Sequence, residues 1–109
     1  MSAMAERLEK MLADGPDSPT LRFGLGNAWL ASDAARAATH LEAAVSQDPE
    51  YSAAWKLLGR ARAALGEAAA AIAAYEQGIA AAERRGDVQA AKEMRVFLKR
   101  LRKAADGGA

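Results

Sequence analysis

His40 is the chain's one histidine, and there is no cysteine. Imidazole most often carries acid–base catalysis near neutral pH. A lone ring has no second histidine with which to make a metal-binding pair or a dyad. Without cysteine there is no disulfide, no thiolate metal ligand and no thiol nucleophile. Gly24-Leu25-Gly26 has the form in which a dinucleotide-binding loop begins, but no strand pattern precedes it and the third glycine is absent. No glycine run is followed by the Lys-Ser or Lys-Thr of a phosphate loop. Asp and Glu are scattered over solvated helical faces, and His40 reads as a surface or partly packed side chain. The expectation is a non-catalytic protein with no metal site and no cofactor.

One charge cluster stands out. Lys92, Arg95, Lys99, Arg100, Arg102 and Lys103 face a single acid, Glu93, over the same stretch. Such a run is read as the solvated face of a terminal helix. Single-stranded nucleic acid would ask for aromatic stacking platforms among the cations. Only Phe97 is near, and the formal net charge is +1. Nucleic acid is therefore not an expected partner.

The elements that would position these residues are helical. The chain of 109 residues is rich in Ala, Leu, Glu, Arg and Lys and poor in aromatics, so propensity points to an all-α fold. The start, MSAMAERLEK, lacks a basic segment followed by an apolar one. No apolar run reaches the ~18–20 residues of a membrane span. A cytoplasmic protein without membrane contact is expected.

Two stretches repeat. Leu25-Gly26 recurs as Leu58-Gly59, and Ala37, Leu41 and Ala44 recur as Ala71, Tyr75 and Gly78 at a spacing longer by one. The first copy is one residue shorter near Ala31-Ser32, where the second has Leu65-Gly66, and a turn between two helices tolerates such a deletion. Punctuation agrees. Ser18-Pro19 and Asp48-Pro49 each read as an N-cap followed by Pro at the first helical position. Ser32 and Gly66 mark mid-repeat turns, and Gly86-Asp87 ends one helix and caps the next. Helices are expected at 4–13, 19–31, 33–47, 50–65, 67–85 and 88–105.

Period, pairing and residues together resemble the tetratricopeptide repeat family, whose signature is W-x2-L-G-x2-Y, then A-x3-F-x2-A, then Pro. The second repeat carries Trp55, Leu58, Gly59, Ala71 and Tyr75, with Arg62 at the Tyr position and Gly78 at the last small one. It has no Pro near residue 83, so its second helix should run long. The first repeat carries Leu25, Gly26, Trp29 at the Tyr position, Ala37, Leu41, Ala44 and Pro49, with Arg22 where Trp is usual. Pro16 lies one period before Pro49, and Met4, Leu8 and Met11 fall at the A, F and A positions of a truncated repeat. The resemblance covers residues 4–85. The last helix is out of phase with the signature and reads as a cap, with an apolar stripe of Val88, Ala91, Met94, Leu98 and Leu101 and Phe97 beside it.

The resemblance implies a short right-handed α-solenoid of about six antiparallel helices in one domain, residues 1–105. Within it lie a half-repeat helix (4–13), repeat one (19–47), repeat two (50–85) and a capping helix (88–105), with 106–109 as a flexible tail. Gly26 and Gly59 would admit a close helix, and Trp55 with Leu58 would be largely buried against the helix carrying Ala71 and Tyr75. The first helix of each pair would line a concave face, which in the family commonly binds a peptide or a partner's helix. Counting from the Leu-Gly pair, the inward positions are Phe23, Asn27, Lys56 and Arg60. Asn27 would bond a peptide backbone and the two cations a carboxylate. The set partly resembles the carboxylate clamp of related repeat proteins, but Phe23 replaces the expected Lys and no third repeat matches. The implied function is a protein-interaction module taking an acidic or C-terminal segment. The alternative is a self-associating unit, such as a homodimer through the groove or the open repeat ends, since two full repeats are fewer than the usual ~three.

Overall fold

Local signals start and stop the helices largely where the sequence places them. The computed structural model describes residues 2–107, and its helices are α1 (Ala3–Asp14), α2 (Pro19–Trp29), α3 (Ala34–Gln47), α4 (Ser52–Ala64), α5 (Ala68–Arg84) and α6 (Val88–Gly107). Ser18 Oγ accepts from the Leu21 amide at 3.0 Å with Pro19 in the first turn. Asp33 Oδ1 caps α3 through Arg36 N at 3.0 Å, and Asp87 Oδ1 caps α6 through Ala90 N at 3.1 Å. Gly86 adopts φ +72°, the left-handed turn that lets the chain reverse between α5 and α6. With no Pro to stop it, α5 runs for 17 residues against 14 in α3.

Three boundaries differ from expectation by two residues, the first being the end of α2, which stops at Trp29 instead of 31. Asp48-Pro49 does not open α4. Asp48 closes α3, its carboxylate accepts from the Glu50 amide at 3.1 Å, and the helix begins at Ser52 behind a Tyr51 that makes no side-chain cap. An Asp can serve a helix end or a local turn, and here the turn takes it. At the other end, Asp106 and Gly107, expected in the tail, are helical. The rest of that tail, residues 108–109, lies outside the described residues.

The helices stack as antiparallel pairs, α2 on α3 and α4 on α5, with α4 also against α3 and α6 against α5. α2 touches α4, and α4 touches α6, so these three line up along one side. α1 rests lightly on α2 and buries only Ala5 completely. Leu25, Leu41, Leu58, Tyr75 and Met94 form the spine of the core. Gly59 is the close-approach point: a Cβ there would stand 2.6 Å from Tyr75 Cζ, and Gly26 meets Leu41 in the same way. No larger residue fits without moving the ring, which outweighs the ~1 kcal/mol helix penalty of glycine.

Trp55 is less buried than expected. It is only half-buried, its Cβ lies over Gly78, and its indole N–H donates to the Pro49 carbonyl at 2.8 Å. Trp29 is the deeper indole, 3% exposed. Arg62, in place of the signature Tyr, bridges Glu67 at 2.9 Å and Glu42 at 3.3 Å, so it ties α3 and the start of α5 to α4 by charge instead of by a ring. In α6 the stripe Ala91, Met94 and Leu98 is buried, while Val88 is 76% exposed and outside the core.

Candidate binding groove

The first helix of each pair supplies the candidate side chains. Asn27 on α2 and Arg60 on α4 come together. Both are exposed, and with Leu30, Ala31 and Ala64 they line an open cleft of about 370 Å³. Asn27 offers both an amide donor and an acceptor there, and Arg60 makes no ion pair among the described residues.

Lys56 lies in a neighbouring cleft of about 280 Å³, shared with Glu93, Val96, Phe97 and Arg100 of α6. Its ammonium donates to Glu93 Oε1 at 2.8 Å. That contact, with a weaker one from Gln89, holds the Glu93 carboxyl below the usual carboxylate range. Phe23 joins neither cleft. Its ring stacks on Tyr51 with centroids 5.1 Å apart and packs against the core, and burial pushes the Tyr51 phenol up. The four expected residues are thus split: Asn27 and Arg60 in one cleft, Lys56 in the next, Phe23 in the wall.

Sequence reasoning missed the share of α6. Its Glu93, Phe97 and Arg100 face the same side as α2 and α4, with the Arg100 guanidinium 6.0 Å from the Phe97 ring centre. A signal was present but shifted. Met94 and Leu98 take the places of Leu58 and Arg62, but later than the period of the first two repeats requires, so the helix reads as out of phase.

His40 is buried, 6% exposed, against the expectation of a surface or partly packed ring. Arg22 can only donate, so its Nη1 donates to His40 Nδ1 at 3.1 Å, and the ring's Nε2–H then donates to Glu9 Oε2 at 3.3 Å. The same carboxylate oxygen accepts from Trp29 Nε1 at 3.1 Å. Arg22 completes the chain with a fork onto Asp17, 2.9 Å on each arm, which holds the Asp17 carboxyl down to about 2. The ring is a strut between α1, α2 and α3. No trio of His, Asp or Glu among the described residues is placed to hold a metal. No helix among them is long and apolar enough to cross a membrane.

Paired helices in a repeating register, each pair closed by a glycine against the next helix and all first helices sharing one face, define a helical-repeat protein. The sequence pattern of the tetratricopeptide repeat matches residues 28–94, and the chain belongs to that family. It is 60% identical over 102 residues to a TPR repeat-containing protein of Pseudomonas aeruginosa, covering 93% of this chain and 97% of that one. It is also similar to a Bordetella parapertussis protein whose solution structure is known, with TM-score 0.81, 48% identity, and 95% and 91% of the two chains covered. Proteins of the family serve generally as non-catalytic protein-interaction modules.

Proposed function

We propose that this chain is a non-catalytic module that binds a partner's peptide segment or helix on the face shared by α2, α4 and α6. The segment is acidic or ends in a free carboxylate. The observation that carries the reading is the pairing, in one open cleft, of exposed Asn27 with an Arg60 that makes no ion pair among the described residues. The amide serves the ligand backbone and the guanidinium its carboxylate, in a bidentate fork. Lys56 adds a second cation when a ligand carboxylate displaces Glu93, and Phe23 supports the wall behind through its stack on Tyr51. The division into half-repeat, two repeats and cap, and a cytoplasmic location, belong to the same proposal; cell fractionation checks the latter.

The test is a titration of acidic peptides, each with a free and an amidated C-terminus, into the wild type and into Lys56→Ala/Arg60→Ala. Two lost charge-assisted hydrogen bonds, about 1.5–3 kcal/mol each, predict a loss well over tenfold with little change in melting temperature. Equal affinity for both proteins refutes the reading.

A second reading, self-association, is supported by α1. Met4 and Met11 are 52% and 55% exposed, whereas Ala37 and Ala44, their counterparts one repeat on, are fully buried. Sedimentation over a concentration series tests it, with Met11→Glu as the control.

A further inference from the structure

The end of the array beyond α6 is a face that the proposed groove leaves unused. Between α5 and α6 runs an open cleft of about 750 Å³, with Ile79 and Leu98 among its lining residues. The protein's own interior shows what covers such a position. Val45 of α3 is the counterpart of Ile79 one repeat earlier, in the register that relates Leu41 to Tyr75. It is covered to 3% exposure, in one buried cluster with Ala74 of α5. Ile79 is only half-buried, because no helix follows α6 among the described residues. A further helix of the array's own kind does not fit there. Arg95 follows Met94 as Gly59 follows Leu58, so a guanidinium stands where Tyr75 closes on α4. The cleft suits a helix held farther off, through longer side chains.

Charge gives that helix its character. Lys92, Lys99, Arg100 and Lys103 are exposed and make no ion pair among the described residues. Lys92, Lys99 and Lys103 follow one ridge of α6 about 16 Å long, and Lys99 and Lys103 also line the cleft. Arg95 and Arg102 are already occupied, bridging to Glu83 and Glu76 across it. A nucleic acid backbone has no apolar stripe to lay over Ile79 and Leu98 in the same cleft. The nearest ring, Phe97, stacks on Tyr75 at 5.7 Å instead of offering a platform. A second copy laid ridge to ridge would bring cations against cations.

We propose that the α5–α6 end face docks an acidic amphipathic helix of a partner protein, with its apolar residues over Ile79 and Leu98 and its carboxylates on Lys92, Lys99 and Lys103. This goes beyond the groove reading and does not depend on it. The experiment titrates the isotope-labelled full chain with a designed peptide of about 18 residues, five helical turns, carrying a Leu stripe flanked by Glu. The comparisons are a scrambled peptide of the same composition, a Lys-for-Glu version and a short DNA duplex. The expected result is saturable shifts at amides in 76–83 and 95–106, which stay in place when Lys56→Ala/Arg60→Ala removes any shift at Asn27. Binding should weaken with salt and drop about tenfold or more in Lys99→Glu/Lys103→Glu, whose exposed positions leave the fold intact. No saturable shift at millimolar peptide, equal binding of the scrambled peptide or of the double variant, or preference for the duplex would overturn it. Shifts confined to Asn27 and Arg60 would overturn it too, while leaving the groove reading standing.

Discussion

Gly59→Ala tests the packing logic of the whole array. An added methyl would stand 2.6, 2.7 and 2.8 Å from three ring atoms of Tyr75, which is itself 2% exposed. Comfortable carbon contacts need about 3.5–4.0 Å, so α5 must yield by roughly an ångström or the ring must leave its rotamer. Overpacking of that order costs about 1–3 kcal/mol, and the buried ring puts this case in the upper half. Alanine's better helix propensity returns about 1 kcal/mol. The net expectation is a loss of about 1–2 kcal/mol, or a melting temperature lower by roughly 5–10 °C for a domain of this size. Urea unfolding followed by circular dichroism reads it directly. The same substitution in a Tyr75→Leu background removes the three offending atoms and should be neutral or mildly stabilising, giving a coupling of about 1–3 kcal/mol. A Gly59→Ala protein as stable as the wild type, or no coupling to Tyr75, would refute the close-approach explanation of the glycine.

Three further outcomes are expected. Glu9→Ala leaves the Trp29 and His40 ring N–H groups without their acceptor, about 1–3 kcal/mol for each unsatisfied donor; hydrogen exchange should rise in α1 first and leave α4 and α5 protected. The Asp17 carboxyl, held at about 2 chiefly by its hydrogen bond to Arg22, adds stability that is fully present above pH ~4 and lost as the pH falls toward ~2; Asp17→Asn should flatten the melting-temperature curve in that window and nowhere else. Trp29→Ala should cost about 3–5 kcal/mol and Trp55→Ala distinctly less, since the first indole is 3% exposed and the second only half-buried; equal losses in chemical denaturation would contradict that ranking.

The repeating register was legible because it rests on residues whose chemistry allows few alternatives. Leu25-Gly26 and Leu58-Gly59 mark the close contacts, and Ser18-Pro19 and Gly86-Asp87 mark the turns. What was not legible depends on partners distant in sequence. Asp48 has the type for a helix cap, and only the tertiary course of the chain decides that it serves a turn. His40 looks solvated until Glu9 and Arg22, on two other helices, are brought to its two nitrogens. The aromatic slot held by Trp55 reads as core by family resemblance, yet Gly78 and Pro49 leave its outer edge in water. In the groove, Asn27 and Arg60 followed from counting along the repeat. The Lys56–Glu93 pair did not, because α6 is displaced in phase from the repeats before it.

Every described helix packs on its neighbour in sequence, and the longer contacts, α2 with α4, α4 with α6 and the Glu9–His40 bond from α1 to α3, skip a single helix. Among the described residues no strand must find a distant mate, and no long loop must close before a contact is rewarded. Folding should therefore start at any pair, spread outward, and finish on the order of microseconds to milliseconds. The same locality confines damage: a lesion in α1 has no direct route to α5, and one end can fray while the other keeps its shape. It also makes the chain easy to lengthen, because an inserted pair of helices meets only the two surfaces beside it.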